Sequence, residues 1–143
     1  MIFNRKQSRS SRNNVLVVNK PGNEIITESF NRLKDNILFF NADNKVKVIQ
    51  ISSSTACEGK TTVIANLAVT MANNGLKVLL VEGDLRAPRI HHAFNLENEC
   101  GIYDYILHNK SLNEIVKHTD VKVDIITRGE KIENPSAVIS SEK

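Results

Sequence analysis

The sequence predicts an α/β domain built on a parallel sheet with flanking helices, and three observations carry that prediction. Two short apolar runs, residues 46–51 and 76–81, bracket a stretch of helical periodicity, so strand, loop, helix and strand follow one another in about 35 residues, the span of a βαβ crossover. The loop after the first run closes with Gly59-Lys60-Thr61-Thr62, at a strand-to-helix junction. The second run leads directly into Glu82-Gly83-Asp84-Leu85-Arg86. In an open parallel sheet, ligands collect beyond the carboxyl ends of adjacent strands, which directs both polar segments to one crevice.

Composition supports a single domain. A chain of 143 residues, 41% hydrophobic and 24% charged, has material for one core and none for a second, and it matches neither a disordered nor a collagen-like chain. Nineteen Lys plus Arg against sixteen Asp plus Glu leave +3, too small a surplus to read the whole chain as a nucleic-acid binder, so no nucleic-acid partner is expected. The surplus is uneven: Arg5, Lys6, Arg9, Arg12 and Lys20 all precede the first acid, Glu24. Residues 1–20 therefore read as a basic flexible tail and residues 21–143 as the folded domain. The tail has no apolar h-region, and no run of about 18 apolar residues exists to span a bilayer, so a cytoplasmic protein is expected. Cys57 and Cys100 lack metal-site spacing and read as free thiols of a reducing compartment.

The elements follow in order. After Pro21-Gly22, the residues Ile26, Phe30, Leu33, Ile37 and Phe40 recur at three- and four-residue steps, predicting a helix from Glu24 to near Asn41. Val46, Val48, Ile49 and Ile51 predict a short buried strand, the parallel neighbour of the strand at 76–81. Val63, Leu67 and Met71 predict a second helix, closed by Asn73-Asn74-Gly75 with the glycine as left-handed terminator. Beyond Arg86 the pattern weakens. Ile102, Tyr105 and Ile106 suggest one short helix, Leu112, Ile115 and Val116 another, residues 121–126 a third strand, and Asn134-Pro135-Ser136 the start of a last helix. Tyr105 shares an apolar face with Ile102 and Ile106, so packing accounts for it, as for Tyr103. The four histidines, including the adjacent His91 and His92, have no metal spacing and are taken as structural or exposed.

The junction at 59–62 has the parts of a phosphate site. Such a site needs successive backbone N–H groups turned into one concavity, a helix N-terminus and an ammonium that reaches the outer phosphates. Gly59 lets the backbone approach closely, Lys60 supplies the charge, and Thr61 places a hydroxyl where magnesium is coordinated. The general pattern G-x-x-x-x-G-K-[ST] fails at Ser54, and a strand-to-helix turn with Thr61 or Thr62 as a helix-start residue is the plainer alternative. Glu82 and Asp84 can hold Mg2+ or accept a proton from an attacking hydroxyl, and Arg86 can neutralise negative charge. A solvated acidic turn is the alternative there.

At these residues the chain resembles the bacterial tyrosine kinases, the P-loop proteins that control capsule and exopolysaccharide assembly. The family loop P-G-E-G-K-[ST]-T is matched at five of seven positions by Ala56-Cys57-Glu58-Gly59-Lys60-Thr61-Thr62, and the family's apolar strand with D-x-D-x-R by Leu79-Leu80-Val81-Glu82-Gly83-Asp84-Leu85-Arg86, with Pro88 in its usual place. Asn134-Pro135-Ser136 matches part of the family's P-N-P-S segment. The resemblance implies a P-loop NTPase-like parallel sheet with flanking helices, incomplete at the C-terminus because the family's following D-x-x-P strand, the Walker B element, has no counterpart in this sequence.

It implies ATP and Mg2+ as cofactors, with Thr55, Ala56, Cys57, Glu58, Gly59, Lys60, Thr61, Thr62 and Arg86 binding the nucleotide, Lys60, Glu82 and Asp84 serving catalysis, and Thr61, Glu82 and Asp84 organising the metal. The implied activity is an autophosphorylating protein-tyrosine kinase regulating capsule and exopolysaccharide biosynthesis. The implied partners are a membrane adaptor, the co-polymerase protein of polysaccharide export, protein tyrosine substrates, and further copies of the chain, with location in the cytoplasm or peripherally at the inner face of the plasma membrane.

The family's assembly motif E-x-x-R-x-x-R falls on Glu28, Asn31 and Lys34, and a solvated helix face is the alternative for Glu28 and Lys34. Two substitutions stand in the site itself. Cys57 replaces a glycine, which would cost on the order of 1 kcal/mol if the position needs positive φ, and Glu82 replaces an aspartate, moving the charge by one methylene. A non-catalytic nucleotide-binding subunit of the same assembly and a partition-type P-loop ATPase are the competing readings. The lysine of the partition type would fall at Thr55.

Overall fold

The computed structural model describes residues 15–43, 45–131 and 135. Helix α1 (Glu24–Phe40) and helix α2 (Lys60–Asn73) are the long elements, followed by strand β1 (Val78–Val81), three short helices α3 (Ile90–Ala93), α4 (Ile102–Leu107) and α5 (Leu112–Ile115), and strands β2 (Val116–His118) and β3 (Val123–Ile126). The sheet order is β1-β3-β2. Strands β1 and β3 are parallel, with Leu80 opposite Ile125, and β2 is antiparallel to β3.

Helix α2 is the centre of the core. Residues 65–72 are buried without interruption, and the small side chains of Ala65, Ala68 and Ala72 let the helix lie close to its neighbours. Val18, Leu80, Ile90, Val123 and Ile125 close around it. Each fully buried aliphatic side chain contributes roughly 1.5–3 kcal/mol by leaving water. Gly75, at φ 85°, reverses the chain into β1, as its place after Asn73-Asn74 predicts.

Several elements depart from the sequence reading. Residues 46–51 form no strand, and Val46, Val48 and Ile49 are exposed, Val48 to 82%. The parallel neighbour of β1 is β3 instead. A strand needs a hydrogen-bonded partner, and among the described residues nothing pairs with 46–51 or with the second edge of β1. The same lack of cover leaves Leu79 and Val81 about half exposed. Val116 begins β2 rather than ending a helix. Ser111 and Glu114 form a capping box that starts α5, but the backbone turns extended at Val116, where β3 offers a ladder. Helix α3 had no periodic signal because it is a single turn.

Residues 15–18, read as the end of the tail, are held to the domain. Asn66, fully buried, accepts the N–H groups of Val17 at 2.7 Å and Val18 at 3.1 Å through Oδ1, and Nδ2 donates to the carbonyls of Val15 at 2.7 Å and Thr62 at 2.8 Å. Along α1 the expected apolar face is only partly used: Phe30 and Ile37 are half-buried, while Phe40 is 87% exposed. Lys34 is buried, its Nζ donating to Asn74 Oδ1 at 2.9 Å with Asp35 at 3.0 Å, so it is not part of a solvated face. Both cysteines are free, as expected. Among the described residues no helix is long and apolar enough to cross a membrane. Residues 1–14 of the tail and the helix start at 134–136, Pro135 apart, lie outside the described residues.

Candidate functional site

The chain links α2 to β1 through only residues 74–77, so the two elements run in opposite directions. The N-terminus of α2 therefore stands at the carboxyl end of β1, on the same edge of the sheet as residues 82–86.

Gly59 precedes α2 with φ 88°, a left-handed conformation that costs glycine little, and no side chain caps the first turn. The helix therefore presents its first N–H groups and the positive end of its dipole unobstructed. Cys57 also has positive φ, at 64°, and is exposed, so the strained geometry anticipated for this substitution is present. The Lys60 ammonium folds back over the loop, donating to Ser53 Oγ at 2.8 Å and the Thr55 carbonyl at 3.2 Å. Ser53 Oγ in turn donates to the same Thr55 carbonyl at 2.8 Å. Glu58 braces the loop from outside: its carboxylate accepts the Thr55 N–H at 3.2 Å. Hydrogen bonds from the Thr55 hydroxyl and N–H, and from Ser53, hold its carboxyl below the usual glutamate value. Ala56 and Thr62 are exposed and Thr61 is half-buried at the first turn.

The two carboxylates beyond β1 differ sharply. Glu82 is buried, and both its oxygens are engaged by backbone N–H groups: Asp84 on Oε1 at 3.0 Å, Arg89 and Ile90 on Oε2 at 2.8 and 2.9 Å. Glu82 thus supplies the acceptor that α3 lacks at its own start. Asp84 is exposed, with Oδ1 accepting the N–H groups of Arg86 at 3.2 Å and Ala87 at 2.9 Å, and Oδ2 accepting none among the described residues. Arg86 is exposed. Among the described residues no hydrogen bond joins the 53–62 loop to the 82–86 segment, so the shared edge, rather than direct contact, brings them together.

For a magnesium ion the fitting donors are the Thr61 hydroxyl and the uncommitted Asp84 carboxylate oxygen, both hard oxygen ligands. Among the described residues no cluster of three or more His, Cys, Asp or Glu forms a protein-only metal site. Magnesium in phosphate sites is typically held by one or two protein groups and the phosphates themselves, so this sparse set suits it. Clefts of about 550 Å³ beside Asn19 and Glu28 and about 300 Å³ beside Asn73 and Lys122 lie away from the loop. A phosphate cradle is an open array of N–H groups, and concavity is not its signature.

Three positions carry this site without having been legible in the sequence. Ser53 receives the Lys60 ammonium, and its polar loop context gave no pattern to mark it. Asn66 ties the first turn of α2 to the N-terminal segment. Arg89 meets Glu82 through its backbone, which no side-chain motif reveals.

Residues 46–141 match the AAA domain family. The tyrosine-protein kinase YwqD of Bacillus subtilis (strain 168) is 37% identical over 139 residues, which are 95% of this chain and 58% of YwqD. In three dimensions the chain resembles the chimerical protein CapA2B2, with TM-score 0.76 and 34% identity over 89% of this chain and 56% of that one. It also resembles the kinase domain of the Escherichia coli tyrosine kinase ETK, with TM-score 0.74 and 31% identity over 78% of this chain and 44% of that one. The chain spans 57% and 58% of the first curated relatives it matches. By the match over residues 46–141 the chain belongs to the AAA domain family, and the relatives it resembles place it with the bacterial tyrosine kinases.

Proposed function

We propose that this chain carries the nucleotide-binding part of an ATP-dependent protein-tyrosine kinase that regulates capsule or exopolysaccharide biosynthesis. The observation that carries the reading is the start of α2: an uncapped N-terminus behind a left-handed Gly59, with the Lys60 ammonium resting on neutral oxygens of its own loop. Those oxygens are weak partners for a full charge. A phosphate competes for the ammonium with a charge-assisted bond roughly twice as strong as a neutral one.

In this proposal Lys60 binds the β and γ phosphates, and the backbone from Thr55 to Thr62 cradles them. Thr61 and Asp84 hold Mg2+, which when bound supplies charge neutralisation on the transferring phosphoryl group. Arg86 stands exposed on the same edge and balances the phosphate charge. Phosphoryl transfer is mostly positioning and electrostatics, with the tyrosine hydroxyl in line with the γ-phosphate. Glu82 serves the reaction by position, holding the segment that carries Asp84. The partners in this reading are a membrane adaptor of polysaccharide export, tyrosine-bearing protein substrates and further copies of the chain, at the inner face of the plasma membrane.

The test combines calorimetry with Mg-ADP and phosphotyrosine detection after incubation with Mg-ATP and the adaptor. The expected result is binding that Lys60→Ala removes, together with phosphotyrosine. Nucleotide bound without phosphotyrosine would instead identify a non-catalytic subunit, and hydrolysis stimulated by DNA or lipid without phosphotyrosine a partition-type ATPase. A folded chain that gives no heat with nucleotide overturns all three readings.

A further inference from the structure

Asn66 is fully buried on α2, and its one amide faces two parts of the chain. Toward the phosphate loop, Nδ2 donates to the Thr62 carbonyl at 2.8 Å. The Val63 N–H of the same peptide donates to the Gly59 carbonyl at 2.9 Å, so this peptide is held at both of its polar ends, directly after Lys60 and Thr61. Away from the loop, Oδ1 accepts the Val17 and Val18 N–H groups, and the second Nδ2 hydrogen goes to the Val15 carbonyl. Two donors and two acceptor sites are all that an asparagine amide has, and all four are used.

Three of the four bonds therefore depend on residues 15–18. The amide is planar, so the direction in which Nδ2 points at Thr62 is set by the partners on its other side. If residues 15–18 leave, Oδ1 and one Nδ2 hydrogen lose their partners in a buried site, and the side chain gains by turning to find others. Residues 15–17 belong to no helix or strand, so no ladder holds them in place. Besides Asn66 and the packing of Val18, their ties run to the start of α1: Asn23 Nδ2 donates to the Val17 carbonyl at 3.1 Å, and the adjoining Asn19 N–H donates to Thr27 Oγ1 at 3.0 Å. A segment so held opens at a lower free energy than the core.

We infer that residues 15–18 are a strap on the nucleotide site. Seated, they lock the Asn66 amide and, through it, the first turn of α2 in the arrangement that receives phosphate. Released, they loosen that turn and weaken nucleotide binding. Asn66 is a positioning residue, since it acts through Thr62 and not on the nucleotide. The inference rests on the nucleotide reading of the 55–62 loop. Because linkage is reciprocal, bound nucleotide holds the strap by the same factor by which the strap favours nucleotide.

The test works from the strap side. Val17→Pro removes an N–H that Oδ1 accepts and leaves residues 53–73 unchanged. Mg-ADP is titrated by calorimetry at a temperature where circular dichroism shows both chains fully folded, so a change in global stability does not enter the affinity. The expected result is binding at least about fivefold weaker in Val17→Pro, the lower end of ordinary coupling between sites. In the unmodified chain, the Val17 and Val18 amides should exchange faster than that of Ile125 on the central strand, and should slow by a matching factor when Mg-ADP saturates the site. This second measurement decides alone if Val17→Pro does not fold. Equal affinity in a folded Val17→Pro chain overturns the strap, as does exchange at Val17 and Val18 that nucleotide leaves unchanged or that already runs at the Ile125 rate. An unmodified chain that gives no heat with Mg-ADP fails the nucleotide reading itself, whereas binding that Val17→Pro leaves intact fails the strap alone.

Discussion

The Glu82 carboxylate accepts the Ile90 backbone N–H at 2.9 Å, tying the segment that leaves β1 to the first turn of α3 eight residues on. With the Arg89 and Asp84 N–H groups on the same carboxylate, one buried acid fixes both ends of the loop that presents Asp84.

Glu82→Ala leaves three N–H donors without their acceptor, two of them at the start of a helix, and an unsatisfied buried donor costs about 1–3 kcal/mol. A loss of about 3 kcal/mol in urea unfolding is expected, because part of the loop relaxes to water. Glu82→Asp keeps the charge but shortens the reach, and should lose about half as much. A loss below about 0.5 kcal/mol for Glu82→Ala would show that the carboxylate does not hold the loop. Asp84→Asn, in contrast, touches an exposed side chain and should leave stability within about 0.5 kcal/mol while reducing magnesium-dependent nucleotide binding.

Asn66 makes four hydrogen bonds with both ends of one amide, three to residues 15–18 and one to Thr62. Asn66→Ala should cost about 2–4 kcal/mol, since a side-chain partner is removed from several buried backbone groups at once. Amide exchange of Val17 and Val18 should rise to the rate of an unprotected segment. Retained protection at those two amides would show that Val18 packing alone seats the segment. Asn66→Asp is expected to be at least as damaging, because a carboxylate cannot donate to the Val15 and Thr62 carbonyls.

Cys57 sits at φ 64°, where a β-carbon is disfavoured by roughly 1–2 kcal/mol, while a glycine costs about 0.5–1 kcal/mol more in unfolded-chain entropy. Cys57→Gly should therefore stabilise the chain by up to about 1 kcal/mol. Nucleotide affinity should rise with it if the relaxed loop is the one that binds. Cys57→Val, β-branched, should do the opposite. Thermal unfolding of the three proteins with and without Mg-ADP distinguishes a loop effect from a general one.

What the sequence made legible was the part of the fold governed by local rules. Periodicity over α1 and α2, the Asn73-Asn74-Gly75 stop and the start of α2 behind Gly59 all follow from residues close in the chain. The failures share a cause. Residues 46–51 have strand chemistry, but a strand is made by its partner, and none of the described residues provides one. The β-branched run therefore forms no strand and leaves Val48 in solvent. The two readings of Lys34 stayed open for the converse reason: a cation on a helix face is normally solvated, and its burial is supported by Asn74, 40 residues away, together with the neighbouring Asp35. In the site, charge type was readable at 82 and 84. The division of labour between a buried acid and an exposed one was not, since it depends on where α3 begins.

Asp104 is buried in the first turn of α4, close to Gly129 in the segment that follows β3. Burial alone would raise its carboxyl, but the Gly101 N–H, His108 and Lys110 outweigh it, and the net shift is downward from 3.8. A carboxylate lowered in the folded state contributes stability that is fully present above its unfolded value and is lost as pH falls through its folded value. The urea midpoint should therefore drop as pH is taken from about 5 to about 3, in part through Asp104. Asp104→Asn cannot be protonated in this range, so it should be less stable at neutral pH and show a smaller drop across the same window. The Gly101 N–H, bonded to Asp104 Oδ2 at 2.8 Å, and the His108 ring, 3.4 Å from Oδ1, supply the local readouts. If Asp104→Asn shows the full acid drop of the unmodified chain, another carboxylate, such as Glu58 or Glu114, governs the acid limb. Both are lowered by hydrogen bonds and exposed, so water screens them and their share should be small.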